Sequence, residues 1–111
     1  MTRDDTRRLA DILEAIDEIR AHRGAEGSEP SVVRDAVLYR LVVIGEAAAR
    51  LSDQTRARAP EIEWRAIVAL RNRLAHAYWR VSLGLIDEIV ESELAPLEAA
   101  VRRLLGDADE E

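Results

Sequence analysis

The sequence predicts an all-α protein, an antiparallel bundle of four to five helices. Apolar residues recur at intervals of three and four in every long segment, the period of a helix with one buried face. No segment alternates apolar and polar residues as a half-buried strand does. The helical segments are separated by mostly short breaker stretches, and short connections make neighbouring helices antiparallel.

Leu9, Ile12, Leu13, Ile16 and Ile19 place the first helix over about Asp4 to His22. The next stretch, RGAEGSEP (23–30), carries two glycines and a proline and reads as a loop. Ser31 is the expected cap of a second helix running to about Leu51. Ser52 is the expected N-cap of a short helical turn ending before Pro60. The stripe Trp64, Ile67, Val68, Leu74, Ala75 and Tyr78 predicts a helix from Glu61 to Tyr78. WRVSLG (79–84) is a bend with Ser82 as a cap, and the last helix runs from about Leu83 to Leu105, with Pro96 a point where it could kink or split. Residues 106–111, GDADEE, are expected to be a frayed acidic tail. At 111 residues this is one domain over 1–111.

Composition narrows the function. The chain has no cysteine, so disulfides, thiol nucleophiles and cysteine metal sites are excluded. Its two histidines, His22 and His76, lie too far apart in sequence for a zinc motif, so no metal or other cofactor is expected. The charged N-terminus lacks an apolar signal core and no run approaches 18 apolar residues, which predicts a cytoplasmic protein with no membrane partner. A net charge of −6 argues against a general nucleic-acid binder. The charge is unevenly spread, however. Residues 64–85 hold four arginines and His76 without a single acid, while acids crowd both ends of the chain.

Within that basic zone RNRLAHAYWR (71–80) interrupts an apolar stripe. Arg71 falls on the stripe itself, and a buried arginine demands an anion. One candidate is Glu46, the only charge in LVVIGEAAA (41–49), a segment apolar on nearly every side and expected at the centre of the bundle or at an interface. Gly45 beside it permits close helix approach. Glu46 either forms a structural pair with Arg71 or orients a polar site. His76 can serve as a general acid or base near neutral pH, or simply face a helix C-terminus. Five residues after Arg71, it lies about 140° around the helix, with Asn72 and Arg73 nearer its side. Arg71 and His76 can converge where the helix ends or where a second chain lines the same cleft.

The spacing Arg71, Asn72, three residues, His76, one residue, Tyr78 resembles the Arg-x4-His-x-Tyr motif of the HEPN superfamily, and of its HepT branch in particular. The resemblance extends over RRLADILEAIDEI, RDAVLYRLVVIGEAAARLS and PEIEWRAIVALRNRLAHAYWRV, about nine-tenths of the chain. It implies a homodimeric HEPN-type bundle with two motifs facing across a cleft. It also implies a metal-independent endoribonuclease, the toxin of a type VII-like toxin–antitoxin pair. Arg71 and His76 match the catalytic positions, with Asn72, Arg73 and Glu46 in support. Tyr78 matches the tyrosine to which a cognate MNT-type nucleotidyltransferase adds AMP, silencing the toxin. The alternative is a non-catalytic HEPN module that docks its nucleotidyltransferase and is modified by it.

Overall fold

The computed structural model describes residues 1–25, 27–77 and 80–110, with the side chains of 77, 83 and 108–110 left aside. Among them are five helices and no strand: α1 (Arg3–Gly24), α2 (Pro30–Arg50), α3 (Asp53–Ala57), α4 (Trp64–Ala77) and α5 (Leu83–Glu110). The fold class and the order of elements match the expectation from sequence. No helix among the described residues is long and apolar enough to cross a membrane.

Helix α1 starts at a reciprocal cap. Thr2 Oγ1 accepts from the Asp5 amide at 3.0 Å, and an Asp5 carboxylate oxygen accepts from the Thr2 amide at 3.4 Å. Leu9, Ile12, Ile16 and Ile19, each fully buried, form its inner stripe. The connection to α2 passes through Gly27 at φ 77°, a left-handed conformation that glycine adopts without steric cost.

Three boundaries differ from the sequence reading. Glu29, not Ser31, is the N-cap of α2, and Pro30 fills the first turn, where its missing N–H is no loss. Helix α4 begins at Trp64 rather than Glu61. The Trp64 indole Nε1 donates to the carbonyls of Arg56 and Ala59, both at 3.1 Å, anchoring that first residue under α3. Helix α5 runs past Leu105 to Glu110, so the acidic tail is helical through that residue rather than frayed, with Asp107 paired to Arg58 at 3.3 Å. Pro96 sits inside α5 without splitting it. The caps at Ser52 and Ser82 match expectation. Ser52 Oγ accepts from the Thr55 amide at 3.2 Å and Ser82 Oγ from the Leu85 amide at 3.1 Å.

Polar contacts fix the helix directions. Asp5 at the start of α1 meets Ser52 just past the end of α2. Arg34, near the start of α2, donates to the Val81 carbonyl beyond the end of α4 at 2.9 Å. Arg20 and Arg23, late in α1, pair with Glu98 and Asp87 of α5. The first two contacts join the beginning of one helix to the end of its neighbour, and between α1 and α5 the later α1 residue meets the earlier α5 residue, so α1–α2, α2–α4 and α1–α5 are antiparallel pairs. Helices α1 and α2 form the centre, α4 lies against α2 and α5 against α1. The segment 41–49 occupies that centre: Leu41, Ile44, Gly45, Ala47 and Ala48 are buried. Across from them Val101 and Leu104 of α5 are fully buried.

Candidate active site on helix α4

Helix α4 packs tightly against α2 at Gly45. A methyl group there would lie 2.7 Å from Arg71 Cγ, 3.3 Å from Arg71 Cα, and closer still to Arg71 Cβ. Only a hydrogen lets the two backbones meet at this depth, and the meeting point fixes where Arg71 emerges. We predict that Gly45→Ala lowers stability. Overpacking costs about 1 to 3 kcal/mol, against the roughly 1 kcal/mol by which alanine favours a helix over glycine. A higher melting temperature than wild type would show that the close approach is not constraining.

The anion that Arg71 demands is Glu46. The Arg71 Nη1 donates to Glu46 Oε1 across the α2–α4 contact. The two side chains are 22% and 46% exposed, so the pair sits at the rim of the helix interface with one edge in water. The guanidinium is not fully used. Arg71 Nε is buried and finds no acceptor among the described residues. A guanidinium fixed at one end by a carboxylate is pre-organised to offer its remaining donors to a second anion.

Asn72, Arg73 and His76 are exposed, on the side of α4 away from the core. No hydrogen bond or ion pair joins their side chains to other described residues, and none joins the side chains of Arg71 and His76. Arg65, Asn72 and His76 follow one another at spacings of seven and four, which aligns them along one helix face. One protomer thus brings Arg71 and Glu46 together, and places Asn72, Arg73 and His76 on an adjoining cationic face without joining the two groups. Tyr78 lies outside the described residues. No three His, Asp or Glu side chains gather around a possible metal position among the described residues.

Sequence reasoning missed two supporting residues. Arg34 holds the Val81 carbonyl and so positions the chain leaving α4, next to the end of the motif. Its half-buried place near a helix start carries no periodic signal. Asp5 is 2% exposed. It accepts from the Ser52 amide at 2.9 Å, Ser52 Oγ at 2.7 Å and Thr55 Oγ1 at 2.8 Å. Burial alone would raise its pKa. The hydrogen bonds from Ser52, Thr55 and Thr2 outweigh that and hold the carboxyl far below the ordinary aspartate range. The capping pattern at Thr2–Asp5 was legible in principle, but its long-range half depends on the fold.

Comparison with known proteins identifies the family. The family described as "Ribonuclease HepT-like" matches residues 9–104. "Putative RNase MJ1380" of Methanocaldococcus jannaschii is 32% identical over 97 residues, covering 84% of this chain and 89% of that protein. "Probable ribonuclease HepT" of Thermococcus cleftensis is 30% identical over 69 residues, covering 62% of this chain and 63% of that protein. "Gamma-glutamylcyclotransferase and putative RNase MJ0434" of M. jannaschii is 28% identical over 105 residues, which cover 91% of this chain but only 47% of that longer protein. No solved structure matches the chain at a significant level. With nearly its whole length matched, including the α2–α4 contact and the motif on α4, the chain belongs to the HepT-like ribonuclease family.

Proposed function

We propose that this protein is a metal-independent endoribonuclease toxin that acts as a homodimer and is silenced by AMP added to Tyr78 by an MNT-type nucleotidyltransferase. The observation that carries the reading is the state of α4: a guanidinium anchored by Glu46, beside an exposed histidine, in a stretch without acids.

The chemistry follows from those groups. The RNA 2′-hydroxyl attacks the adjacent phosphorus, forming a 2′-O–P bond and breaking the P–O5′ bond. One His76 takes the 2′ proton, and the His76 of a second protomer protonates the departing 5′ oxygen. The products are a 2′,3′-cyclic phosphate and a 5′-hydroxyl. Arg71 stabilises the charge that builds on the phosphorane-like transition state. Arg73 and Asn72 position the backbone phosphates. AMP on Tyr78 would bring a bulky anion to the cleft and repel RNA.

His76 is the one histidine of the basic zone and cannot act as both acid and base, which is the reason for a twofold dimer. An apolar face beside the site supports it. Val32 and Tyr39 stand 63% and 61% exposed, and with Val42 and Glu46 they follow one line on α2 at spacings of seven, three and four. We expect light scattering to give a dimer at micromolar concentration, and Tyr39→Arg to yield a folded monomer that no longer cleaves RNA. A wild-type monomer with full cleavage activity would reject the shared cleft.

The net acidity of the chain favours a second reading, a module that docks its nucleotidyltransferase and is modified without cutting RNA. Tyr78→Phe separates the two. It loses the acceptor oxygen and keeps the ring, so under the toxin reading it escapes AMP and inhibits growth even with the nucleotidyltransferase present. A folded, unmodified and harmless Tyr78→Phe protein points to the docking module. AMP found elsewhere by mass spectrometry rejects Tyr78 as the acceptor.

A further inference from the structure

Helices α4 and α5 do not close over α2. They stand as two walls with Leu41 and Ile44 of α2 as the floor, leaving an apolar groove whose walls include Ile67 and Leu70 on α4 and Ile89 and Leu97 on α5. These four wall residues belong to, or pack against, the buried core, yet the groove stays open to solvent. Its volume of about 280 Å³ falls just below the range of small-molecule pockets, which begins at about 300 Å³. That is room for a few anchoring side chains. Pro96 borders the same groove. Lacking an N–H, it leaves the Ser92 carbonyl one turn earlier without its helical donor.

The groove's charge identifies its occupant. Three acids line it, Glu61, Glu63 and Glu93, and no base does. Arg103 neutralises Glu61 at 2.7 Å. Glu63 and Glu93 are exposed and have no ion-pair partner among the described residues. An acidic rim repels RNA phosphates. It also opposes a twofold pairing of groove with groove, because each rim would face its own acids. We infer that this groove docks an amphipathic helix of a protein partner, with apolar residues at i, i+3 or i+4 and i+7 entering the groove and arginine or lysine flanking them to meet Glu63 and Glu93. The inference stands on the groove and does not depend on the ribonuclease reading. It adds an apolar surface on the first half of α4, lined by neither Arg71 nor His76, through which a partner can hold this protein.

A display library of randomised helix-forming peptides tests it, selected against the full-length protein. Ala66 is exposed and lines the groove, so arginine there obstructs the mouth while the fold is kept, as circular dichroism will verify. We expect the recovered peptides to share a three-and-four apolar stripe with flanking cations. Their affinity should fall at least tenfold against Ala66→Arg and against Glu63→Lys/Glu93→Lys. Absence of enriched peptides would overturn the proposal, as would neutral or acidic winners or binding indifferent to these substitutions. Wild-type self-association abolished by Ala66→Arg would assign the groove to a second copy and overturn it equally.

Discussion

His76→Ala protein loses RNA cleavage by a factor of about 10² to 10⁴, the usual contribution of a positioned acid or base, and loses growth inhibition with it. Its stability stays within about 0.5 kcal/mol of wild type, because His76 is exposed and bonds to no other described residue. The separation of activity from stability is the informative part. Arg71→Ala also loses activity, but it strips Glu46 of its cation and empties space against Gly45, so its melting temperature drops as well. The proposed shared cleft adds a quantitative requirement. When wild-type and His76→Ala chains are refolded together, a site that needs both histidines loses activity as the square of the wild-type fraction. A linear fall would mean that each protomer works alone. Unchanged cleavage by purified His76→Ala would remove the histidine from the mechanism.

Asp5→Asn destabilises the fold by about 3 kcal/mol, the scale for breaking a buried hydrogen-bonded network, and lowers the melting temperature by roughly 10 °C. The Asp5 carboxylate receives only donors: the Thr2 and Ser52 amides and the Ser52 and Thr55 hydroxyls. An asparagine amide supplies one oxygen and an NH2 group, which points a donor at donors. The network ties the start of α1 to the start of α3, so its loss loosens the end of the bundle where α2 gives way to α3. The pH dependence has a defined sign. The folded-state pKa of Asp5 is depressed, so its stabilisation is fully present above the unfolded value of about 3.9 and is lost as pH falls below it toward the folded value. Wild type therefore loses stability below about pH 4, and Asp5→Asn shows a flatter acid limb. Equal unfolding free energies of the two proteins at pH 7 would show that the network contributes nothing net.

The fold was legible because it rests on periodicity. Leu9, Ile12, Ile16 and Ile19 state the inner face of α1 outright, and Ser52 and Ser82 cap the helices they precede. Ser31 misled because the helix already begins at Pro30: Ser31 is itself helical, and its hydroxyl donates to the Glu29 carboxylate at 3.5 Å instead of capping. The helical continuation to Glu110 was invisible locally. Leu104 buried against the core and Asp107 paired to Arg58 come from parts of the chain far apart in sequence. At the site, the demand of Arg71 for an anion and the permissive role of Gly45 could be read from one apolar stripe and one glycine. So could the separation of Arg71 and His76 around α4: the structure holds Arg71 at the contact with α2 and leaves His76 exposed, with no bond between the two side chains. Their meeting in one site belongs to the proposed dimer.

The central claim is that this chain cuts RNA through its own 2′-hydroxyl, with Arg71 and His76 and no metal. Mass spectrometry of the products tests it most directly. Purified wild-type protein, incubated with an end-labelled RNA in excess EDTA, is expected to release fragments ending in 2′,3′-cyclic phosphate with matching 5′-hydroxyl ends. Fragments carrying 5′-phosphates, or cleavage that vanishes in EDTA and returns with a divalent metal, would contradict it.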